Sequence, residues 1–66
     1  MELKINGIVK EVEEGITISR FLETMKTPAM GIAVELNGEI IPRSRHESTV
    51  LKEGDVLEIV KMVGGG

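Results

Sequence analysis

Thr17-Ile18-Ser19-Arg20-Phe21-Leu22-Glu23-Thr24-Met25-Lys26 is the one stretch of this 66-residue chain with helical periodicity. Ile18, Phe21, Leu22 and Met25 stand at i, i+3, i+4 and i+7, a single apolar stripe, while Arg20, Glu23 and Lys26 fall off it. Thr17 is placed as the N-cap, its hydroxyl able to accept from a backbone N–H that the first turn leaves unpaired. Pro28 disfavours helical backbone at Thr27 and stops the helix there. The spacing therefore predicts a helix over Thr17–Lys26. One short helix offers one apolar face, so the rest of the chain is read for what that face covers.

Upstream, Met1, Leu3 and Ile5 alternate with Glu2, Lys4 and Asn6, the period of a strand with one buried face. Asn6-Gly7 is the pair best suited to the positive φ angles of a type I′ hairpin turn. Ile8–Val12 reads as the return strand, closed by Glu13-Glu14-Gly15. Downstream, Ile32, Val34 and Leu36 alternate with Ala33 and Glu35, and Asn37-Gly38 repeats the hairpin signal. Glu39–Pro42 is a short return strand that ends at its proline. Arg43–Val50 reads as irregular, with one helical turn near Glu47. Lys52-Glu53-Gly54-Asp55 turns the chain into a last strand, Val56–Val63, which runs into Gly64-Gly65-Gly66.

The order is hairpin, helix, hairpin, connection, strand. One arrangement buries every apolar face: a mixed sheet with the helix packed across one side and the first and last strands adjacent at its centre. The expected fold class is thus α+β with the β-grasp (ubiquitin-like) layout, comprising a domain over residues 1–63 and a flexible glycine tail over 64–66. Phe21, Leu22, Leu57 and Ile59 are expected in the core.

Composition narrows the function. A domain this small buries only about 60% of the surface of its unfolded chain, so its core is thin and a deep catalytic pocket is not expected. The chain has no cysteine, which removes disulfides, thiolate metal sites and a cysteine nucleophile. No apolar run approaches the roughly 20 residues that span a bilayer. The N-terminal Met1-Glu2-Leu3-Lys4 lacks the character of a signal or transit peptide, so a cytoplasmic protein with no membrane partner is expected. Acidic residues outnumber basic ones 11 to 8, and Phe21 is the only aromatic. Nucleic-acid binding calls for a basic face or stacking aromatics and is not expected.

Three consecutive glycines at the end of a strand have no packing role. They make a thin, uncharged thread ending in one carboxylate, ionised near neutral pH. Such a thread passes through a narrow channel, and its terminal carbonyl is unhindered. A carboxylate is a poor electrophile and needs activation, for instance as an acyl-adenylate. A carrier loaded by other enzymes is one reading of this end; an unstructured tail is the other.

The run Asn37-Gly38-Glu39-Ile40-Ile41-Pro42-Arg43-Ser44, then Leu51-Lys52-Glu53-Gly54-Asp55, Glu58-Ile59-Val60 and the final Gly64-Gly65-Gly66 together resemble the ThiS family of sulfur carriers. The resemblance covers essentially the whole chain, including Gly15-Ile16-Thr17 ahead of the helix. It implies a β-grasp fold and a non-enzymatic carrier without a cofactor. The reactive residue is then Gly66, with Gly64 and Gly65 as the threading tail. The partners implied are an E1-like adenylating enzyme (ThiF-like), which activates Gly66 for conversion to a thiocarboxylate, and a thiazole synthase (ThiG-like), which receives the sulfur for the thiazole of thiamine. A related Gly-Gly carrier, such as the small subunit of molybdopterin synthase, or a β-grasp interaction domain shares part of the pattern. Arg45-His46 stands where relatives carry an acidic residue and an aromatic.

Strand parity places Leu57 and Ile59 on one face and Glu58, Val60 and Met62 on the other. Val60 and Met62 are therefore expected as an apolar docking surface beside the tail. His46, the only histidine, is expected as a solvated loop residue with no metal role, together with Arg43 and Arg45. Glu11, Glu13 and Glu14 read as a solvated acidic run.

Overall fold

A computed structural model describes residues 1–62 of the chain; Val63 and the Gly64–Gly66 tail lie outside the described residues, as does the flexibility expected of that tail. Among the described residues the elements are β1 (Glu2–Ile5), β2 (Ile8–Glu11), α1 (Ile18–Thr24), β3 (Ile32–Leu36), β4 (Glu39–Ile41), a 3₁₀ turn (Arg43–Arg45) and β5 (Val56–Lys61). The sheet order is β2-β1-β5-β3-β4. β1 and β5 pair in parallel, and every other pairing is antiparallel. The first and last strands thus lie side by side at the centre, as the apolar pattern requires.

Both hairpins turn on their asparagine-glycine pairs. Asn6 and Asn37 have φ of 49° and 51°, followed by Gly7 and Gly38 at 84° and 87°, the two positive angles of a type I′ turn. Each asparagine then does a second job. The Asn6 amide oxygen accepts from the Ile59 N–H at 2.8 Å and its amide nitrogen donates to the Ile59 carbonyl at 3.2 Å. The side chain thereby extends the β1 ladder one step further along β5. Asn37 acts at the other end of β5, accepting from the Val56 N–H at 2.9 Å and donating to the Asp55 carboxylate at 3.0 Å.

The helix start is also fully paired. The Thr17 hydroxyl accepts from the Arg20 N–H at 3.1 Å, and the Thr17 carbonyl from Phe21 at 2.9 Å. Ile18 and Ser19 donate to the carbonyls of Thr49 and His46. The Ile18, Ser19 and Arg20 N–H groups have no carbonyl partner within the helix, and two of them are met by carbonyls of the 43–51 connection, which is thereby held against α1 rather than lying loose. Leu51, 1% exposed, sits in the core for the same reason, its N–H bonded to the Ile16 carbonyl.

The core lies between α1 and one face of the sheet, built from Leu3, Ile5, Phe21, Leu22, Val34 and Leu57 with their neighbours. Phe21, Leu22 and Leu57 are buried as expected. Ile59 is only half-buried. Ile59 lies opposite Val34, which is 1% exposed, and packs against the core cluster from its margin.

One expectation for the connection is corrected. A 3₁₀ turn at Arg43–Arg45 opens it immediately after Pro42, whose φ is −64°, and the helical turn expected near Glu47 follows, closed by the Thr49 N–H donating to the Arg45 carbonyl at 3.0 Å. His46 is not solvated: it is 5% exposed. The 3₁₀ turn rolls its ring inward, where Nε2 lies 3.1 Å from the Ile41 carbonyl. A carbonyl only accepts, so Nε2 carries the hydrogen, and Nδ1 is left buried with no partner.

Asn6→Ala removes both side-chain bonds to Ile59 and places alanine at positive φ. It is expected to cost about 1–3 kcal/mol, read as a lower urea midpoint. Glu13→Ala, on an exposed residue, is expected to stay within about 0.5 kcal/mol of the wild type.

Candidate functional site

Residues directly opposite in a ladder share a face, and this divides the sheet. On the helix face stand Leu3, Ile5, Val34, Ile41 and Leu57. The opposite face is uncovered. On it Val60 opposes Ala33, Glu58 opposes Glu35, and Glu35 in turn opposes Ile40. Val60 is 52% exposed, Met62 61% and Ile40 68%. Although β5 ends at Lys61, the Met62 N–H still donates to the Gly31 carbonyl at 2.9 Å, which fixes the backbone there. Next to it runs an open groove of about 400 Å³ lined by Ala29, Met30, Ile32, Ile40, Pro42 and Met62.

The parity argument therefore gives the observed faces of β5: Val60 and Met62 are exposed apolar residues on the strand that leads toward the tail. Gly64, Gly65 and Gly66 lie outside the described residues. Arg43 and Arg45 are exposed, and Glu11, Glu13 and Glu14 are exposed around the end of β2. Among the described residues no group of three or more His, Cys, Asp or Glu is placed to hold a metal ion, and no helix is long and apolar enough to cross a membrane. Two contributors to the apolar face were not singled out from sequence. Ile40 was legible from the Asn37-Gly38 register, which opposes it to Glu35; Met30 lies in the connection before β3, where period-2 reading does not apply.

A five-stranded mixed sheet crossed on one side by a single helix, with the first and last strands parallel at its centre, defines a β-grasp domain of the ubiquitin-like class. The ThiS family model matches residues 3–66. The chain is 35% identical to the thiamine biosynthesis protein ThiS of Geobacter metallireducens, whose crystal structure superposes with a TM-score of 0.90 over 100% of both chains. It is 38% identical over 65 residues to the sulfur carrier protein ThiS of Bacillus subtilis, covering 97% of this chain and 98% of that one. It is also 36% identical over 66 residues to a thiazole synthase of Paramagnetospirillum magneticum, matching 100% of this chain but spanning only 20% of that protein's length. The chain belongs to the ThiS family, and the relatives matched over nearly their whole length include proteins named sulfur carrier protein ThiS.

Since both side chains point away from the core, Val60→Asp and Met62→Asp are each expected to cost at most about 1 kcal/mol of stability. Thermal unfolding checks this.

Proposed function

We propose that Gly66 is the working residue of a sulfur carrier that serves thiazole formation in thiamine biosynthesis. The observation that carries the reading is the extent of the family match, which runs through residue 66 and so includes all three glycines. In the first step a Gly66 carboxylate oxygen attacks the α-phosphorus of ATP in an E1-like, ThiF-like enzyme, and pyrophosphate leaves. The acyl-adenylate is then open to a sulfide-level nucleophile. Addition of hydrosulfide at the acyl carbon, loss of AMP and loss of the sulfur's proton give the thiocarboxylate. That sulfur passes to a ThiG-like thiazole synthase. The relatives named thiazole synthase, which contain a segment similar to the whole of this chain, support that choice of acceptor.

Each part of the chain then has a task. Gly64 and Gly65 keep the thread free of Cβ atoms where it enters a partner's channel. Val60 and Met62 supply the apolar grip beside it, desolvated when the partner docks. No other group competes for the chemistry: the chain has no cysteine, and side-chain carboxylates carried on the ordered domain cannot follow a thread into a narrow channel. A cytoplasmic setting, where ATP and the adenylating enzyme reside, fits this scheme.

Incubated with the adenylating enzyme, ATP and a sulfur donor, the protein is expected to gain the mass of one sulfur in place of one oxygen, at Gly66 alone. Deleting Gly66 or appending one alanine abolishes the change, with stability kept within about 0.5 kcal/mol. Val60→Asp and Met62→Asp slow loading by placing a charge in a contact that must lose water. Sulfur on the truncated protein would rule out Gly66 as the site.

A further inference from the structure

The chain has four methionines and no cysteine, tryptophan or tyrosine, so a thioether is its most easily oxidised side chain. The fold sorts the four into two pairs. Met1 and Met25 are half-buried and pack against the core cluster. Met30 and Met62 are 72% and 61% exposed. They are far apart in sequence, yet both line the open groove formed with Ala29, Ile32, Ile40 and Pro42. The 2.9 Å bond from the Met62 N–H to the Gly31 carbonyl holds the two segments together. The two accessible sulfurs of the chain therefore share one apolar groove, on the strand that leads toward the tail.

We propose that Met30 and Met62 form a peroxide-sensitive modification site that switches this groove from apolar to polar. A lone pair of the thioether sulfur attacks one oxygen of hydrogen peroxide. The O–O bond breaks, an S–O bond forms, and water leaves after proton transfer. The sulfur is oxidised by two electrons and the peroxide is reduced by two. The product sulfoxide is polar and accepts hydrogen bonds. In the free protein water supplies those bonds, because both side chains are exposed, and the fold loses little. When a partner covers the groove that water is lost, and a sulfoxide left without a donor opposes docking. The inference rests on the reading that a partner grips this face beside the tail. It adds a means of turning that grip off, and of restoring it with methionine sulfoxide reductases, one for each sulfoxide epimer.

The unloaded full chain is treated with hydrogen peroxide, the peroxide is removed with catalase, and the product is mapped by peptide mass spectrometry. Met30 and Met62 are expected to gain one oxygen each, several-fold faster than Met1 and Met25, with the melting temperature nearly unchanged. Sulfur loading by the purified E1-like adenylating enzyme of the same organism is expected to fall about tenfold and to recover after treatment with the two reductases. The double variant Met30→Leu, Met62→Leu keeps the side-chain volume and lacks the sulfur, and its loading is expected to withstand the same peroxide. Equal oxidation of all four methionines, or reaction first at Met25, overturns the site. Oxidation confined to Met30 and Met62 with loading unchanged, where Val60→Asp still slows it, overturns the switch and leaves the docking reading standing. Unchanged loading both in the oxidised protein and in Val60→Asp overturns both.

Discussion

Everything in this fold depends on β5 being held between β1 and β3. The strand comes last in the sequence and lies central in the sheet, so its pairings are all distant along the chain and carry the full cost of loop closure. Two asparagine side chains reinforce it near its two ends. Asn37 takes the Val56 N–H where β5 begins, and Asn6 takes both backbone groups of Ile59 further along. Each of these residues already sits at positive φ in a hairpin turn. The residues that reverse the chain locally therefore also fix the longest-range contact in the domain.

Fixing β5 sorts its side chains, and the sorting separates stability from function. Leu57 goes under the helix; Glu58, Val60 and Met62 go to the open face. With a thin core, every large apolar residue left outside is stabilisation forgone, and Ile40, Val60 and Met62 are all outside. A sheet face built in this way is poorly adapted to water and well adapted to being covered. That is the character that the docking proposed for this face requires.

Much of this was legible in the sequence because the signals are local and periodic. The stripe at Ile18, Phe21, Leu22 and Met25 needs only its own spacing to announce a helix, and the Asn-Gly pairs need only their turn type. The faces of β5 followed from parity alone. What failed was decided by contacts between distant segments. His46 reads as a polar loop residue, but the Pro42-initiated turn tucks its ring under the Ile41 carbonyl. The backbone around it satisfies the helix N-terminus, through the carbonyls of His46 and Thr49, and no local pattern encodes that. Ile59 shares the parity of Leu57, yet it stands at the margin of the core, a place that parity along one strand does not give. The glycines could be noticed from sequence, but the role proposed for them depends on partners and not on any pattern within the chain.

The two hairpin turns also set a chemical clock. In an asparagine followed by glycine, the next backbone nitrogen attacks the side-chain carbonyl with little steric hindrance, and ammonia leaves through a succinimide that opens to aspartate or isoaspartate. Here the carboxamides at risk are those that brace β5. At Asn37 the product would set a new carboxylate against that of Asp55, at a contact now 3.0 Å long. At Asn6 it would lose the donor to the Ile59 carbonyl. While those hydrogen bonds are made they hold the carboxamides in place and retard the cyclisation. Ageing of this protein in storage would therefore begin at its turns, and each deamidation would loosen the strand that carries the open face.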